Sequence, residues 1–506
     1  MTRPDVLIIG AGSAGSVLAD RLSADRSRAV TVLEAGERVE DPEMRMPQLW
    51  PFIQQRSYDW AYRTTPQPRL AGRSLEWPRG RGLGGSSMLH AMAHMHGCRA
   101  DFAAWAEATG TERWSWDGLE PFFDGLEEAG GGPLPVLHPT PELSSPLVGS
   151  YLAGWESLGV PRIPDHNRGE MLGATVNALT IRDGRRVTAA DAWLEPASTR
   201  SNLTVRTGVL VHRLLIEKGR VRGAVYSSRS TGGALETVLA DRVILASGSI
   251  ATPLLLMRSG VGDPAVLAEA GVDPVVESPA LGGNLHDHLL GAGNIYRTRR
   301  PVPPSRLQIS EAMTYLRADD LGASEGRPDI VVGCAVAPSP SEVYAPGLEL
   351  APGDGFTLFF GVTNPRSRGT LRITGPEVDD APLIDPNYLD EESDRELFRA
   401  AFERARSVGR SAALAEWGAE EVLPGPALTT SDDLDAFIAR AAITHHHPVG
   451  TARMGKTDDA PVTPELAVRG LEGVHVVDAS VFPSITAGPV HATVLALAAS
   501  FAASLA

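Results

Sequence analysis

Apolar residues run without a break through Val6–Ile9, and nearly so through Val30–Leu33. Continuous rather than alternating apolar character predicts parallel strands buried on both faces. Between them Val17, Leu18 and Leu22 recur at helical spacing, so the first 34 residues predict a strand–helix–strand unit. Residues 40–75 are rich in Pro, Trp and Tyr and show no period; long irregular stretches of that kind usually cover a site. Helical pattern and turns alternate through about 100–165, with a surface loop from Gly130 to Pro135. Strands and hairpins follow at Leu203–Arg206, Val209–Ile216, Val221–Tyr226 and Val238–Ala246. Residues 290–430 alternate in strand fashion, as at Thr357–Gly361 and Gly369–Ile373, with a charged helix near 391–410. The chain then returns to its opening style, with a strand at Val474–Val477, Asp478 at its tip, and an apolar helix from about 490.

Composition narrows the classes. At 506 residues the chain exceeds one ordinary core. Its formal charge of −16 disfavours nucleic acid as a partner. Cys98 and Cys334 are the only cysteines, which supports neither a disulfide framework nor a zinc pattern. No apolar run reaches the roughly 18 residues of a membrane span, and the first residues enter a strand at once, so a cytoplasmic protein is expected, with peripheral membrane contact open.

Gly10, Gly12 and Gly15 follow the first strand and open the first helix. In that context they permit a tight turn, close approach of a pyrophosphate, and helix–strand packing, while the helix N-terminus offers N–H groups to phosphates. Glu34 ends the second strand, where a carboxylate accepts ribose hydroxyls and repels a 2′-phosphate. A dinucleotide is expected; the fingerprint alone does not separate FAD from NAD.

Six further segments are specific. They are Gly80-Arg-Gly-Leu-Gly-Gly-Ser-Ser-Met-Leu-His90, Gly248 to Gly262, Gly282-Gly-Asn-Leu-His-Asp-His288, Ala381 to Tyr388, His447-Pro-Val-Gly-Thr-Ala-Arg-Met-Gly455 and Val477-Asp-Ala-Ser480. In that order they resemble the glucose–methanol–choline (GMC) oxidoreductases over nearly the whole chain. The resemblance implies an α/β architecture: a Rossmann-like FAD-binding domain with a discontinuous α+β substrate-binding domain built on an antiparallel sheet. The FAD domain would draw on 1–45, 75–100, 190–290 and 435–506, and the substrate domain on 46–74, 101–189 and 291–434. FAD contacts carry over to Gly10, Gly12, Ser13, Ala14, Gly15, Glu34, Ala35, Arg81, Gly85, Ser86, His90, Val211, Asp478, Ala479, Ala492 and Thr493. Val211 would offer its backbone to the adenine, and Asp478 would face the ribityl–pyrophosphate region. Members that bind FAD covalently carry histidine where this chain has Leu89, which implies non-covalent FAD. His90 stands where many members carry Asn.

Alcohol oxidation needs a proton acceptor beside a hydride acceptor, and a neutral imidazole suits the first task. The resemblance assigns that chemistry to His447 and His491, leaving open which is the base; two close imidazoles would titrate together. His446 is a candidate for the pocket wall. A metal is not expected. Three adjacent histidines, His445 to His447, do not readily turn to one ion, and Ala91 replaces the glutamate of the helical zinc motif between His90 and His94. On a strand, His94, His96 and Cys98 would point one way, toward the flavin pocket or nothing. Trp50, Trp60, Tyr62, Trp77 and Trp105 are candidates for a substrate entrance. The partners expected are a small alcohol and an electron acceptor, either oxygen or a quinone or protein. Hydroxynitrile lyase and light-driven chemistry are the alternatives on the same scaffold; a hydrolase lacks its G-x-S-x-G elbow.

Overall fold

The computed structural model describes residues 3–318 and 326–505. Its organising layer is a five-stranded parallel sheet in the order Val474–Val476, Arg242–Leu245, Val6–Ile9, Val30–Leu33 and Leu203–Arg206. Val6–Ile9 and Val30–Leu33 are buried throughout, which is why neither alternates. Ile9 lies between Leu33 and Leu245, so the ends of three strands drawn from distant parts of the chain form one rim. The helices Ser13–Ser23 and His491–Ala503 pack together, joining the two ends of the chain.

A second sheet of six strands is antiparallel, in the order Ser310–Leu316, Ile330–Ala335, Gly355–Val362, Leu289–Arg297 and Glu420–Leu423, with Ala442–Thr444 also pairing Leu289–Arg297. The Glu392–Gly409 helix packs on it through Phe398, Phe402 and Ala405. This sheet sets the site. Leu289 pairs with Thr444, so the residues just outside the two strand ends, His288 and His445, meet; the His445 N–H donates to the His288 carbonyl at 2.8 Å.

One expected strand divides. Val238–Ala246 is two elements: Leu235–Leu239, antiparallel to Gly223–Ser227, and Arg242–Leu245 in the parallel sheet. The exposed Asp241 marks the passage between sheets. Residues 40–75 hold short 3₁₀ turns at Pro42–Arg45, Pro47–Phe52 and Pro68–Leu70 and one two-residue strand. No helix among the described residues is long and apolar enough to cross a membrane.

The first turn is tightly packed. Gly10 has φ +102°, and a Cβ on Gly15 would fall 1.9 Å from the Gly10 carbonyl oxygen. Both groups are backbone, so neither can retreat. Gly15→Ala should lower stability by more than about 2 kcal/mol, read as a fall in melting temperature.

Candidate active site

One cavity of about 810 Å³ runs from the glycine turn to the histidine-rich segments. At the nucleotide end the Ser13–Ser23 helix points its N-terminus inward; its N-cap is Gly12, no side chain caps it, and no acid lies in its first turn. That leaves the helix dipole and first-turn N–H groups for an anion. Gly85 presses on the same turn, since a Cβ there would fall 2.7 Å from the Gly12 Cα. Glu34 accepts the Ala11 N–H through Oε2 (2.8 Å) and the Gly36 N–H through Oε1 (2.9 Å), and still faces the cavity. Burial pushes its pKa above the ordinary carboxylate value while those N–H groups pull the other way.

Of the residues expected to meet the cofactor, Gly10, Gly12, Ser13, Ala14, Glu34, Ala35, Arg81, Gly85, Ser86, His90, Val211, Asp478 and Ala479 line this cavity. Gly15 does not; it packs on Gly10. Ala492 and Thr493 lie behind the wall, and the Thr493 hydroxyl donates inward to the His96 carbonyl (3.2 Å). Asp478 lines the cavity and is also tied into the protein. Its carboxylate accepts four protein hydrogen bonds, from Gly248 N–H (2.8 Å), the Thr252 hydroxyl (2.6 Å), and the N–H and hydroxyl of Ser480 (2.9 and 2.5 Å). It ties the Gly248–Arg258 helix to the 478–480 turn, so it holds the wall.

At the other end His447, His445 and His288 converge. The chain reverses at His446, whose φ is +67°, and this sets the His445 and His447 rings 4.4 Å apart. The left-handed residue between them is what brings these two rings together. His446 also lines the cavity, its carbonyl accepting from Arg79 Nη2 at 2.7 Å. Asp287 anchors the loop, accepting the His447 N–H (2.6 Å) on Oδ1 and the hydroxyls of Thr444 (2.6 Å) and Tyr388 (2.5 Å) on Oδ2.

Proton positions follow from the partners. His288 Nε2 lies 2.8 Å from the Thr363 carbonyl oxygen, which only accepts, so Nε2 carries a proton. Burial lowers the His288 pKa to about 4, so the ring is neutral near pH 7 and its Nδ1 is bare. His447 Nδ1 stands 3.0 Å away and must donate. The His447 pKa is also held well below 6.5, by burial first and then by His445, His288, His446 and Arg79. Its Nε2 is therefore an unprotonated nitrogen on a residue that lines the cavity. The three rings are close enough to suggest a metal, but both His288 nitrogens are committed.

His491 lines the same cavity and packs against His90, ring centroids 4.7 Å apart, rather than against His447. Both His491 nitrogens and His90 Nε2 are buried without a protein partner. Burial lowers the His491 pKa to about 3. His94 and His96 turn away from the cavity toward Glu127, whose Oε1 takes both Nε2 atoms at 2.9 and 2.7 Å. Ligands about 2.1 Å from a tetrahedral metal stand roughly 3.4 Å apart. The observed spacing is that of two N–H donors sharing one carboxylate. Trp50, Trp60 and Tyr62 line the cavity, the last two stacked at 6.0 Å. Trp77 and Trp105 are core residues, bonded through Nε1 to the Tyr388 hydroxyl (3.2 Å) and the Ser484 carbonyl (2.9 Å).

A glycine cradle, an uncapped helix N-terminus, a ribose-competent carboxylate and unpartnered imidazole nitrogens along one cavity fit a dinucleotide with a polar ring at its far end, as FAD has. The sequence profile of the GMC oxidoreductase family matches residues 4–290 and 365–498. The chain belongs to that family, and it is an FAD-dependent oxidoreductase acting on the CH–OH group of an alcohol. It is 54% identical over 512 residues to the pyridoxine 4-oxidase of Microbacterium luteolum, covering 99% of both chains. It is 34% identical over 526 residues to an alcohol dehydrogenase (acceptor) of Pseudomonas putida, covering 98% of this chain and 94% of the other. A crystal structure of pyridoxine 4-oxidase from Mesorbium loti superposes with a TM-score of 0.94 at 49% identity, covering 99% of each chain.

The residues not singled out by sequence reasoning are Arg79, Asp287, His288 and Tyr388, all of which act on the 444–447 loop. Three lay inside motifs already recognised, but no local pattern tells which residues of a motif support a distant loop. His288→Phe should lower kcat roughly 10²-fold or more with little change in the dissociation constant of a non-reacting substrate analogue. His288→Gln, which keeps a donor for Thr363 and an acceptor for His447, should recover part of the loss. Stopped-flow reduction of the flavin together with analogue titration checks both.

Proposed function

We propose that this chain oxidises pyridoxine, converting the hydroxymethyl group at carbon 4 to the aldehyde, with molecular oxygen as the final electron acceptor. The observation that carries the chemistry is His447 on the cavity wall with its Nδ1 committed to His288, which leaves Nε2 for the substrate. Support for the substrate comes from the 54% and 49% identities to enzymes named for that reaction.

His447 takes the hydroxyl proton at Nε2 while the adjoining carbon gives up a hydride. FAD, when bound, supplies the hydride acceptor. His445, 4.4 Å from His447, gives a second neutral imidazole for the substrate oxygen, and His491 offers unpartnered nitrogens on the wall shared with His90. The low-dielectric surroundings that keep these rings neutral also preserve the base at acidic pH. We read the FAD as non-covalent, because Leu89 and His90 both line the cavity and His90 is not at the attachment position. We assign the cofactor to the segments of the parallel sheet and the substrate wall to the antiparallel sheet, as the domain ranges above propose. Lyase and light-driven chemistry gain nothing from relatives named as oxidases and dehydrogenases.

Purified protein should be yellow, release its flavin on denaturation, and bleach when pyridoxine is added without air. Readmitted oxygen should restore the colour with formation of hydrogen peroxide. Flavin that stays oxidised with pyridoxine but bleaches with other alcohols would overturn the substrate and leave the chemistry. His447→Ala should slow reduction by roughly 10²- to 10⁴-fold. The base is active deprotonated, so kcat/KM should be flat through neutrality and fall only below pH 6.5, the side to which burial moves its pKa. A limb inflecting above 6.5 would contradict a neutral, buried His447.

A further inference from the structure

Beyond the histidines the cavity wall is mostly apolar, formed by Leu290, Met313, Phe359 and Ile443. Polar side chains interrupt it, Asn177, Gln308 and Ser310 among them, and two polar atoms on lining residues other than histidine stand unpaired. Asn177 is 1% exposed and lines the cavity. Its amide orientation is determined by its partner: Nδ2 lies 2.8 Å from the Ser310 carbonyl oxygen, which takes only a donor. Oδ1 is then the free end, and it is buried with no hydrogen-bond partner. The backbone N–H of Asn177 donates to the Glu311 carbonyl at 2.8 Å, so main chain and side chain are both held by the same strand. On the neighbouring wall Trp50 also lines the cavity, packed with Leu179 and Leu307, and its buried Nε1–H has no partner either. Two residues of the cavity wall therefore carry one unpaired acceptor and one unpaired donor, both desolvated. Buried polar groups are left so when a ligand completes them.

We propose that Asn177 Oδ1 and Trp50 Nε1 form a polar subsite that selects aromatic-ring alcohols carrying a further hydroxyl or ring N–H besides the CH–OH group that reacts. The proposal rests on the reading of the site as one for alcohol oxidation. It deepens that reading by naming what distinguishes the preferred alcohol from a bare arylmethanol. A flat ring fills the Leu290–Met313–Phe359 slot. A second hydroxyl can donate to Asn177 and a ring heteroatom or hydroxyl oxygen can accept from Trp50. A bare ring leaves both atoms unpaired, and that asymmetry is the selectivity.

The test uses holoenzyme and two substrate pairs, pyridoxine with 4-pyridinemethanol and 3-hydroxybenzyl alcohol with benzyl alcohol. In the unaltered protein, kcat/KM should favour the hydroxyl-bearing member of at least the first pair by roughly 10- to 100-fold. In Asn177→Leu that ratio should collapse toward one, chiefly through KM. The dissociation constant of 4-deoxypyridoxine, which keeps the other ring substituents but has no reacting hydroxyl, should rise by a similar factor. Trp50→Phe removes only the N–H and keeps the ring, so it carries the comparison through the benzyl pair, in which only the 3-hydroxyl can accept from Trp50, if the leucine variant does not fold. A ratio unchanged in both variants while both substrates slow together would overturn the subsite and leave a structural role for these residues. Failure of pyridoxine to react while the benzyl pair shows the preference, and loses it in the variants, would overturn the pyridoxine reading and keep the subsite.

Discussion

The Thr363 carbonyl accepts from His288 Nε2 at 2.8 Å, and because a carbonyl has no proton to give, every proton position downstream is determined. His288 must present a bare Nδ1, His447 must donate from its own Nδ1, and His447 Nε2 must be empty. The order holds only while both rings are neutral, and burial supplies that condition by holding both below the ordinary histidine pKa. The logic is that of a base oriented by a second group, with an imidazole and a carbonyl where hydrolases use a carboxylate. A carboxylate in that place would stabilise a charged imidazolium; a neutral chain keeps the base uncharged until substrate arrives.

Placement of these groups depends on strand pairing. Leu289 and Thr444 are partners in the antiparallel sheet, and the residues beyond each strand end, His288 and His445, are the ones that meet at the cavity's histidine-rich end. Asp287 then gathers the loop through Thr444, Tyr388 and the His447 N–H, and Arg79 closes it from the glycine-rich segment through the His446 carbonyl. The site is thus bound at once to the antiparallel sheet and to the loop that adjoins the glycine turn. Such double anchoring suits chemistry that needs a fixed distance between base and hydride acceptor.

Much of this was legible in the chain. The glycine turn could be read because its backbone demands are local: a turn at Gly10 and a close approach at Gly15 require those residues wherever the fold places them. Buried parallel strands announced themselves by unbroken apolar runs. His447 and the cavity-lining cofactor residues followed from motifs. What stayed hidden depends on contacts distant in sequence. His447 and Asp287 are 160 residues apart, and nothing in either segment specifies the register that joins them. The tie from Asp478 to Gly248, Thr252 and Ser480 was likewise hidden, because two of those residues lie about 230 positions away. His94 and His96 share Glu127, but their segment is not a regular strand and Cys98 packs with Met95 instead, so the alternation expected of a strand does not apply. Val238–Ala246 read as one strand because both halves are apolar, and only the sheet partners divide it.

Neutron diffraction from deuterium-exchanged crystals at neutral pH tests the central claim most directly, since it locates the protons themselves. The account predicts deuterium on His288 Nε2 and His447 Nδ1, and none on His288 Nδ1 or His447 Nε2. Deuterium on His447 Nε2 would contradict it, because the atom assigned to receive the substrate's proton would already hold one.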